Sequence, residues 1–240
     1  MNYVSVPSLQ SETEILQILR ETGAFFDKGH YILASGRHSE QYIFARLAVC
    51  LRGKRVKIAR LIARCFKNDN INVVAAFSVG GALLGMEVAK LLCAKFVVGR
   101  KTERGDVKFE NLFKIEQCDT ILIVDDVLTT GGTINKALDA IKAWGKGAII
   151  GIGVIVDRSR GNVDFGDVKL VRLVEFDLDQ YDAKRCPLCK KGIKATDLSH
   201  VESDRDKALS VLSGRKKKLM TIGFNEYEKL LKDASLEVTK

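Results

Sequence analysis

The chain has 240 residues, 46% of them apolar, only two prolines and a formal net charge of +9. That apolar share supports a substantial core, and the two prolines and absent low-complexity tracts argue against long disordered regions. The longest apolar run, Gly147 to Val156, is too short to cross a bilayer, and the N-terminus lacks a basic segment followed by an apolar one, so neither a membrane span nor a secretory signal is expected.

Ser8 or Ser11 is placed to cap an opening helix that carries Ile15, Leu16, Ile18 and Leu19 and closes at Gly23. The pattern then changes. His30 to Leu33 reads as a strand, Ser35-Gly36-Arg37-His38-Ser39 as a turn, and Tyr42 to Phe44 as the returning strand of a hairpin. Such a hairpin ahead of a regular α/β repeat predicts a small hood, mainly over residues 24–50. Lys54 to Phe66 is an amphipathic helix with Val56, Ile58, Leu61 and Ile62 on or near its apolar face.

Val73 to Phe77 opens the main repeat as a buried strand, and Ala82 to Leu92 continues as helix. Between them lies Ser78-Val79-Gly80-Gly81, where two glycines let backbone N–H groups come close to a ligand or let a helix pack tightly. Lys95 to Gly99 is another strand. Arg100 to Lys108 that follows is charged and poor in apolar residues, as a solvated hairpin tip would be.

Residues 120–134, Thr-Ile-Leu-Ile-Val-Asp-Asp-Val-Leu-Thr-Thr-Gly-Gly-Thr-Ile, carry the strongest chemical signal. Ile121 to Val124 make a short strand buried on both faces, ending at Asp125-Asp126. Open α/β sheets bind ligands at the carboxyl ends of such strands. Thr129-Thr130-Gly131-Gly132-Thr133 then leads into a helix marked by Ile134, Leu138 and Ile141. Glycines free the backbone amides to converge, threonines add hydroxyl donors, and a helix N-terminus favours an anion, so the loop reads as a phosphate cradle. The Walker spacing and its lysine are absent. Two acids beside the cradle are suited to sugar hydroxyls, and the whole reads as a site for a ribose 5-phosphate.

Ala148 to Val156 is a long buried strand ending in Asp157-Arg158-Ser159-Arg160-Gly161. An arginine at that end can make two parallel hydrogen bonds to a planar carboxylate; a plain pairing with Asp157 is the alternative. Val168 to Glu175 adds a further strand. Cys186-Pro187-Leu188-Cys189 has the spacing of half a structural zinc site, but no second pair follows and His200 is the only histidine nearby in sequence. It reads as a structural turn. Six irregularly spaced cysteines form no disulfide framework, and Cys50, Cys65, Cys93 and Cys118 sit in apolar segments, which fits a reducing cytoplasm. Beyond residue 200, Arg205 to Leu212 and Asn225 to Leu231 look helical around the basic run Gly214 to Lys218. With nine Lys/Arg against seven Asp/Glu from residue 201 onward, the positive excess belongs to the main body, where the cradle favours phosphorylated metabolites over nucleic acid.

The 120–134 segment resembles the phosphoribosyl-pyrophosphate (PRPP) signature of the type I phosphoribosyltransferases. Residues 29–42, with Ser35, Gly36, Ser39 and Tyr42, resemble the N-terminal signature of the orotate branch, and Asp157-Arg158-Ser159-x-Gly161 resembles that branch too. Ala34 stands where some members have lysine.

The resemblance covers residues 10–200 and implies one type I phosphoribosyltransferase domain over residues 1–200, a mostly parallel sheet flanked by helices with an N-terminal hood, followed by a helical extension over residues 201–240. It implies transfer of ribose 5-phosphate from PRPP to orotate, with Mg²⁺ held mainly through PRPP and water, in a cytoplasmic homodimer with shared sites. Asp125 and Asp126 would hold the ribose hydroxyls and stabilise charge on the ring; Thr129, Thr130, Gly131, Gly132 and Thr133 would hold the 5-phosphate. Val79, Gly80 and Gly81 would meet pyrophosphate, with a non-proline cis peptide near Ser78-Val79. Arg100, Lys101, Arg104 and Lys108 would form a basic lid, although no histidine lies between residues 39 and 199 to serve it as proton donor. Arg158 would contact the carboxylate of the base, and Ser35, Gly36 and Tyr42 would line the base pocket. A phosphoribosyltransferase for another base, a PRPP-sensing regulator or RNA-binding protein, and an enzyme whose tail docks a partner are the alternatives.

Overall fold

The computed structural model describes residues 3–5, 9–33, 35–101, 107–109, 115–143 and 147–198. In chain order the elements are β1 (Tyr3–Ser5), α1 (Leu9–Glu21), the short strands β2 (Phe25–Phe26), β3 (Tyr31–Ile32), β4 (His38–Ser39) and β5 (Tyr42–Ile43), then α2 (Arg46–Cys50) and α3 (Arg52–Cys65). The main repeat follows as β6 (Val73–Ala76), α4 (Val79–Leu92), β7 (Lys95–Lys101), β8 (Val107–Phe109), β9 (Thr120–Leu128), α5 (Gly132–Ala143), β10 (Ala148–Asp157) and β11 (Lys169–Glu175). A helical turn at Ala183–Arg185, α6 (Pro187–Lys190) and β12 (Thr196–Asp197) complete the described chain.

Among the described residues two compact units arise, one formed by those of Leu51–Phe176 with those through Ile18, the other by those of Leu19–Cys50 with residues 177–198. The first holds a seven-stranded sheet in the order β1-β11-β10-β9-β6-β7-β8. Every neighbouring pair is parallel except β7 with β8 at the edge. The expected mostly parallel sheet is therefore present. Its strands need no polar face because helices cover both sides. Val73, Ala75, Ile121, Ile123, Ile152 and Val154 join Ile134, Leu138 and Ile141 of α5 in one core layer. α4 lies against the other face, with Gly85 close to Val74 and Ala76. Each fully buried Ile, Leu or Val contributes about 1.5–3 kcal/mol, so this two-sided core is what fixes the sheet.

Several boundaries differ from the sequence reading for identifiable reasons. β9 does not stop at Asp125-Asp126 but runs to Leu128, because its ladder with β10 continues through Asp125 opposite Val154 to Leu128 opposite Asp157. Backbone pairing is indifferent to side-chain polarity. α1 already begins at Leu9, so Ser11 lies within the helix rather than capping it; Ser8 is outside the described residues. Gly23 takes φ +68° and its amide donates to the Arg20 carbonyl, closing α1 as expected.

In the second unit the hairpin is tighter than the sequence indicates. Gly36 adopts φ +74° and donates its amide to the Leu33 carbonyl, which returns the chain at once. β3 therefore pairs antiparallel with β4, Tyr31 opposite Ser39 and Ile32 opposite His38. The Tyr42–Ile43 strand pairs instead with Phe25–Phe26. β12 joins β3 in parallel, and Tyr181 exchanges two backbone hydrogen bonds with His38. Phe26 packs edge-on to Tyr31 and Tyr42, both at 6.0 Å between ring centroids, as the aromatic centre of this unit. The expected tail helices and basic run lie outside the described residues. Among the described residues no helix is long and apolar enough to cross a membrane.

Candidate active site

The chain leaves β6 through α4 to reach β7 on one side of the sheet, and leaves β9 through α5 to reach β10 on the other. Strand order therefore reverses between β6 and β9, the place where open α/β sheets bind ligands. β9 has its last rung with β6 at Ile123 and continues alone on that side, so Asp125 and Asp126 border the crevice.

A relay of hydrogen bonds fixes the first acid. The Gly81 amide donates to Ser78 Oγ at 2.8 Å, and Ser78 Oγ donates to Asp125 Oδ1 at 2.5 Å. The Asp126 amide donates to the same Oδ1 at 2.9 Å. Both acids are 7% exposed. Burying a carboxylate costs several kcal/mol, and charge-assisted bonds of about 1.5–3 kcal/mol each, with the positive end of α4 nearby, offset that cost. Asp125 is held in place before any ligand arrives, and the Asp126 carboxylate lies close against Gly80.

Gly80 and Gly81 make this close approach possible. A Cβ on Gly80 would collide with the Asp126 carboxylate, and one on Gly81 would lie 2.7 Å from the Val124 carbonyl oxygen. Their role here is thus to seat the start of α4 against the acid pair. Ser78 is extended, at φ −126° and ψ 163°, and Val79 opens the helix. The Ser78–Val79 peptide is trans, in contrast to the cis bond implied by resemblance; extended Ser78 already directs its hydroxyl at both Gly81 and Asp125.

After Leu128 the chain turns through Thr129 and Thr130, both exposed, to Gly131 at φ +73°. The Gly131 carbonyl accepts the first helical bond of α5, from Asn135 N at 2.8 Å. Gly132 is exposed and Thr133 half-buried at the start of that 12-residue helix. Amides and threonine hydroxyls at a free helix N-terminus form an anion cradle. Arg158 adjoins the start of this turn, since its amide donates to the Leu128 carbonyl at 2.8 Å. Its neighbour Asp157 is fully buried and committed to Arg172 at 3.0 Å and to the Ser159 amide at 2.8 Å. The simple Asp157–Arg158 pairing is thus replaced by Asp157–Arg172.

Of the residues expected in the site, Asp125, Asp126, Gly80 and Gly81 are in direct contact, and Thr129–Thr133 and Arg158 follow at the same carboxyl ends of β9 and β10. Arg100 and Lys101 close β7, with Lys108 opposite Arg100 and Val107 opposite Lys101 in a hairpin. Arg104 lies outside the described residues. Ser35, Gly36 and Tyr42 belong to the second unit, where Ser35 and Gly36 form the exposed β3–β4 turn and Tyr42 is buried against Phe26. Ser78 was missing from the expected site, although a serine directly before a helix is a recognisable cap.

Comparison with known proteins identifies the family. Residues 54–179 match the phosphoribosyl transferase domain. The orotate phosphoribosyltransferase of a Thermoanaerobacter species is 35% identical over 180 residues, 75% of this chain and 93% of that protein. That of Pelotomaculum thermopropionicum is 36% identical over 182 residues, 76% of this chain and 94% of that protein. The chain belongs to the orotate phosphoribosyltransferase family. Among solved structures, the orotate phosphoribosyltransferase from Aeropyrum pernix shares the fold with a TM-score of 0.59 at 24% identity, covering 68% of this chain and 93% of that one. The family match spans the switch point from α3 to β11, and so takes in the acid pair, the Thr/Gly cradle and Arg158 of this phosphoribosyltransferase.

Proposed function

We propose that this phosphoribosyltransferase moves ribose 5-phosphate from PRPP to orotate, releasing orotidine 5′-monophosphate and pyrophosphate. The observation that carries the reading is the buried Asp125-Asp126 pair, with Asp125 fixed by Ser78 and the Asp126 amide, on the strand that leads into the Thr129–Thr133 turn at the sheet's switch point. In the reaction N1 of orotate bonds to the anomeric carbon as the carbon–oxygen bond to pyrophosphate breaks. The bonding pair leaves on pyrophosphate, and the N1 proton is lost. Charge grows on the ribose ring along the way, and catalysis rests on positioning and charge stabilisation.

Thr129, Thr130, Gly131, Gly132 and Thr133 hold the 5-phosphate; Asp125 and Asp126 hold the ribose hydroxyls and stabilise the positive ring. Val79, Gly80 and Gly81 border the pyrophosphate side. Arg100, Lys101, Arg104 and Lys108 form the basic lid that neutralises pyrophosphate and excludes water. Arg158 reads the orotate carboxylate, and Ser35, Gly36 and Tyr42 are assigned to recognition of the base. The hard carboxylate oxygens of Asp125 and Asp126 suit a hydrated Mg²⁺ held mainly through PRPP, which when bound would neutralise the leaving group. We assign the enzyme to a cytoplasmic homodimer in which each lid serves the neighbouring site; six free cysteines support the reducing setting.

The test is pyrophosphate release from PRPP with Mg²⁺ across a panel of bases. Release only with orotate is the expected result. Release only with a purine would move the enzyme to another branch, and PRPP binding without turnover on any base would make it a sensor.

A further inference from the structure

Among its described residues, the second unit has little regular secondary structure to hold it together. Its strands are two residues long, and its core is a small aromatic and aliphatic cluster around Phe26, Tyr31 and Tyr42. Units of this size commonly need a staple. One is built from two stretches far apart in sequence. His30, just before β3, and His38, opening β4, meet Cys186 and Cys189 of the α6 turn, and one ligand atom from each of the four lies within 4.8 Å of every other.

The distances match a tetrahedral ion. Cys186 Sγ is 3.5 Å from His30 Nε2, Cys189 Sγ is 3.7 Å from the same nitrogen, and Cys189 Sγ is 3.4 Å from His38 Nδ1. Metal–ligand bonds of about 2.0–2.1 Å to nitrogen and 2.3 Å to sulfur place tetrahedral donors roughly 3.3–3.8 Å apart. The two imidazole nitrogens, at 2.8 Å, need to open by about half an ångström.

The outer partner is also in place. His30 Nδ1 is 2.7 Å from the Ile193 carbonyl oxygen, which only accepts, so that nitrogen carries the proton. The lone pair on Nε2 then faces the cluster, the arrangement that orients metal-bound histidines. The register explains the convergence. His38 stands opposite Ile32, and His30 lies two residues before Ile32, so both project from the same face of the β3–β4 hairpin. Cys186 caps α6 and Cys189 follows one turn later, with Pro187 stiffening the first helical position. Thr196 N bonding to the His30 carbonyl at 2.7 Å carries the same segment back along β3. Three of the four residues are buried and Cys189 is exposed, which gives an ion a way in.

We propose that His30, His38, Cys186 and Cys189 form a structural zinc site that fastens the β3–β4 hairpin to the segment around α6. Two thiolates and two imidazoles in a tetrahedron suit Zn²⁺, and four protein ligands leave no open position, so the ion staples and does not catalyse. Metal binding would displace the thiol protons, and the site's occupancy would add directly to folding stability.

The full-length chain, stripped with chelator under reducing conditions, is titrated with Co²⁺ and then Zn²⁺. The expected result is saturation near one ion per chain, tetrahedral cobalt absorption with thiolate charge transfer, bleaching by Zn²⁺, and a higher melting temperature with metal. Cys186→Ser and Cys189→Ser should each lose the charge-transfer band or weaken it by about half while retaining the seven-stranded unit's circular dichroism. Should a variant misfold, the wild-type titration decides alone. Octahedral cobalt spectra, no thiolate band, or an unchanged melting temperature with bound metal would overturn the proposal.

Discussion

Arg158 and Gly80 are the single residues on which the proposed site can be tested most sharply. Arg158 sits half-buried at the end of β10, while its neighbour Asp157 is already paired with Arg172. Charge-assisted bonds of about 1.5–3 kcal/mol correspond to roughly ten- to a hundredfold in affinity, so Arg158→Ala should raise the KM for orotate by that factor and leave PRPP binding nearly unchanged. Steady-state kinetics varying each substrate separately checks this, and equal losses for both substrates would remove Arg158 from the base site. Gly80 makes a different demand. A methyl group there meets the Asp126 carboxylate, so Gly80→Ala must displace either the acid or the start of α4. A misplacement of about 1 Å costs on the order of a hundredfold in rate, and kcat should fall accordingly while the melting temperature moves little. The acid pair, the Thr/Gly turn and Arg158 stand out as candidates in the sequence because each is a local pattern of residue types. Ser78 stands out less: its part in the relay depends on a partner 47 residues away in the chain.

At the scale of elements, the site is set by how far β9 outruns β6. The hydrophobic run ends at Val124, and the sequence reading ended the strand with it; the ladder to β10 carries the backbone on to Leu128 regardless. The short strands of the second unit pair differently from the sequence expectation for the opposite reason. Two-residue strands have no periodicity to read, and only the turn at Gly36 decides which partner β3 meets.

The other end of β9 is anchored by Asp119, which accepts from Lys95 Nζ at 2.8 Å and from the Glu116 amide at 2.8 Å. Burial alone would raise this carboxyl, but the Lys95 and Glu116 hydrogen bonds outweigh it and hold it below its ordinary value. A depressed folded-state value means the stabilisation is complete above the unfolded pKa, about 3.9, and is lost as pH falls through the lower folded one. Asp119→Asn should therefore lower stability by about 1–2 kcal/mol at neutral pH. The gap between the two proteins should close below about pH 4. Urea midpoints measured across that range test this; a gap that widened in acid would contradict the assigned sign.

For the whole molecule, the chain builds two units by different means. A two-sided aliphatic core holds the sheet of the first, and short pairings, an aromatic cluster and four metal-binding side chains gather in the second. The mostly parallel architecture was legible from buried strands alternating with helical patterns. The His/Cys cluster was not, because its two halves are 156 residues apart between His30 and Cys186 and only the folded chain joins them. The Cys-x-x-Cys pair is visible alone, but the histidine nearest to it in sequence is His200, whereas its neighbours in the fold are His30 and His38 of the hairpin.

The central claim is that the switch point between β6 and β9 is a ready-made seat for PRPP. Isothermal titration of PRPP into the full-length chain with Mg²⁺ tests it most directly, beside Gly131→Val, which places a bulky residue at φ +73° against Val163 and Phe165 in the cradle. The account predicts saturable binding near one PRPP per chain, dependent on Mg²⁺ and weakened at least tenfold in the folded variant. Absence of PRPP binding by correctly folded wild-type protein, or equal affinity in the two proteins, would contradict it.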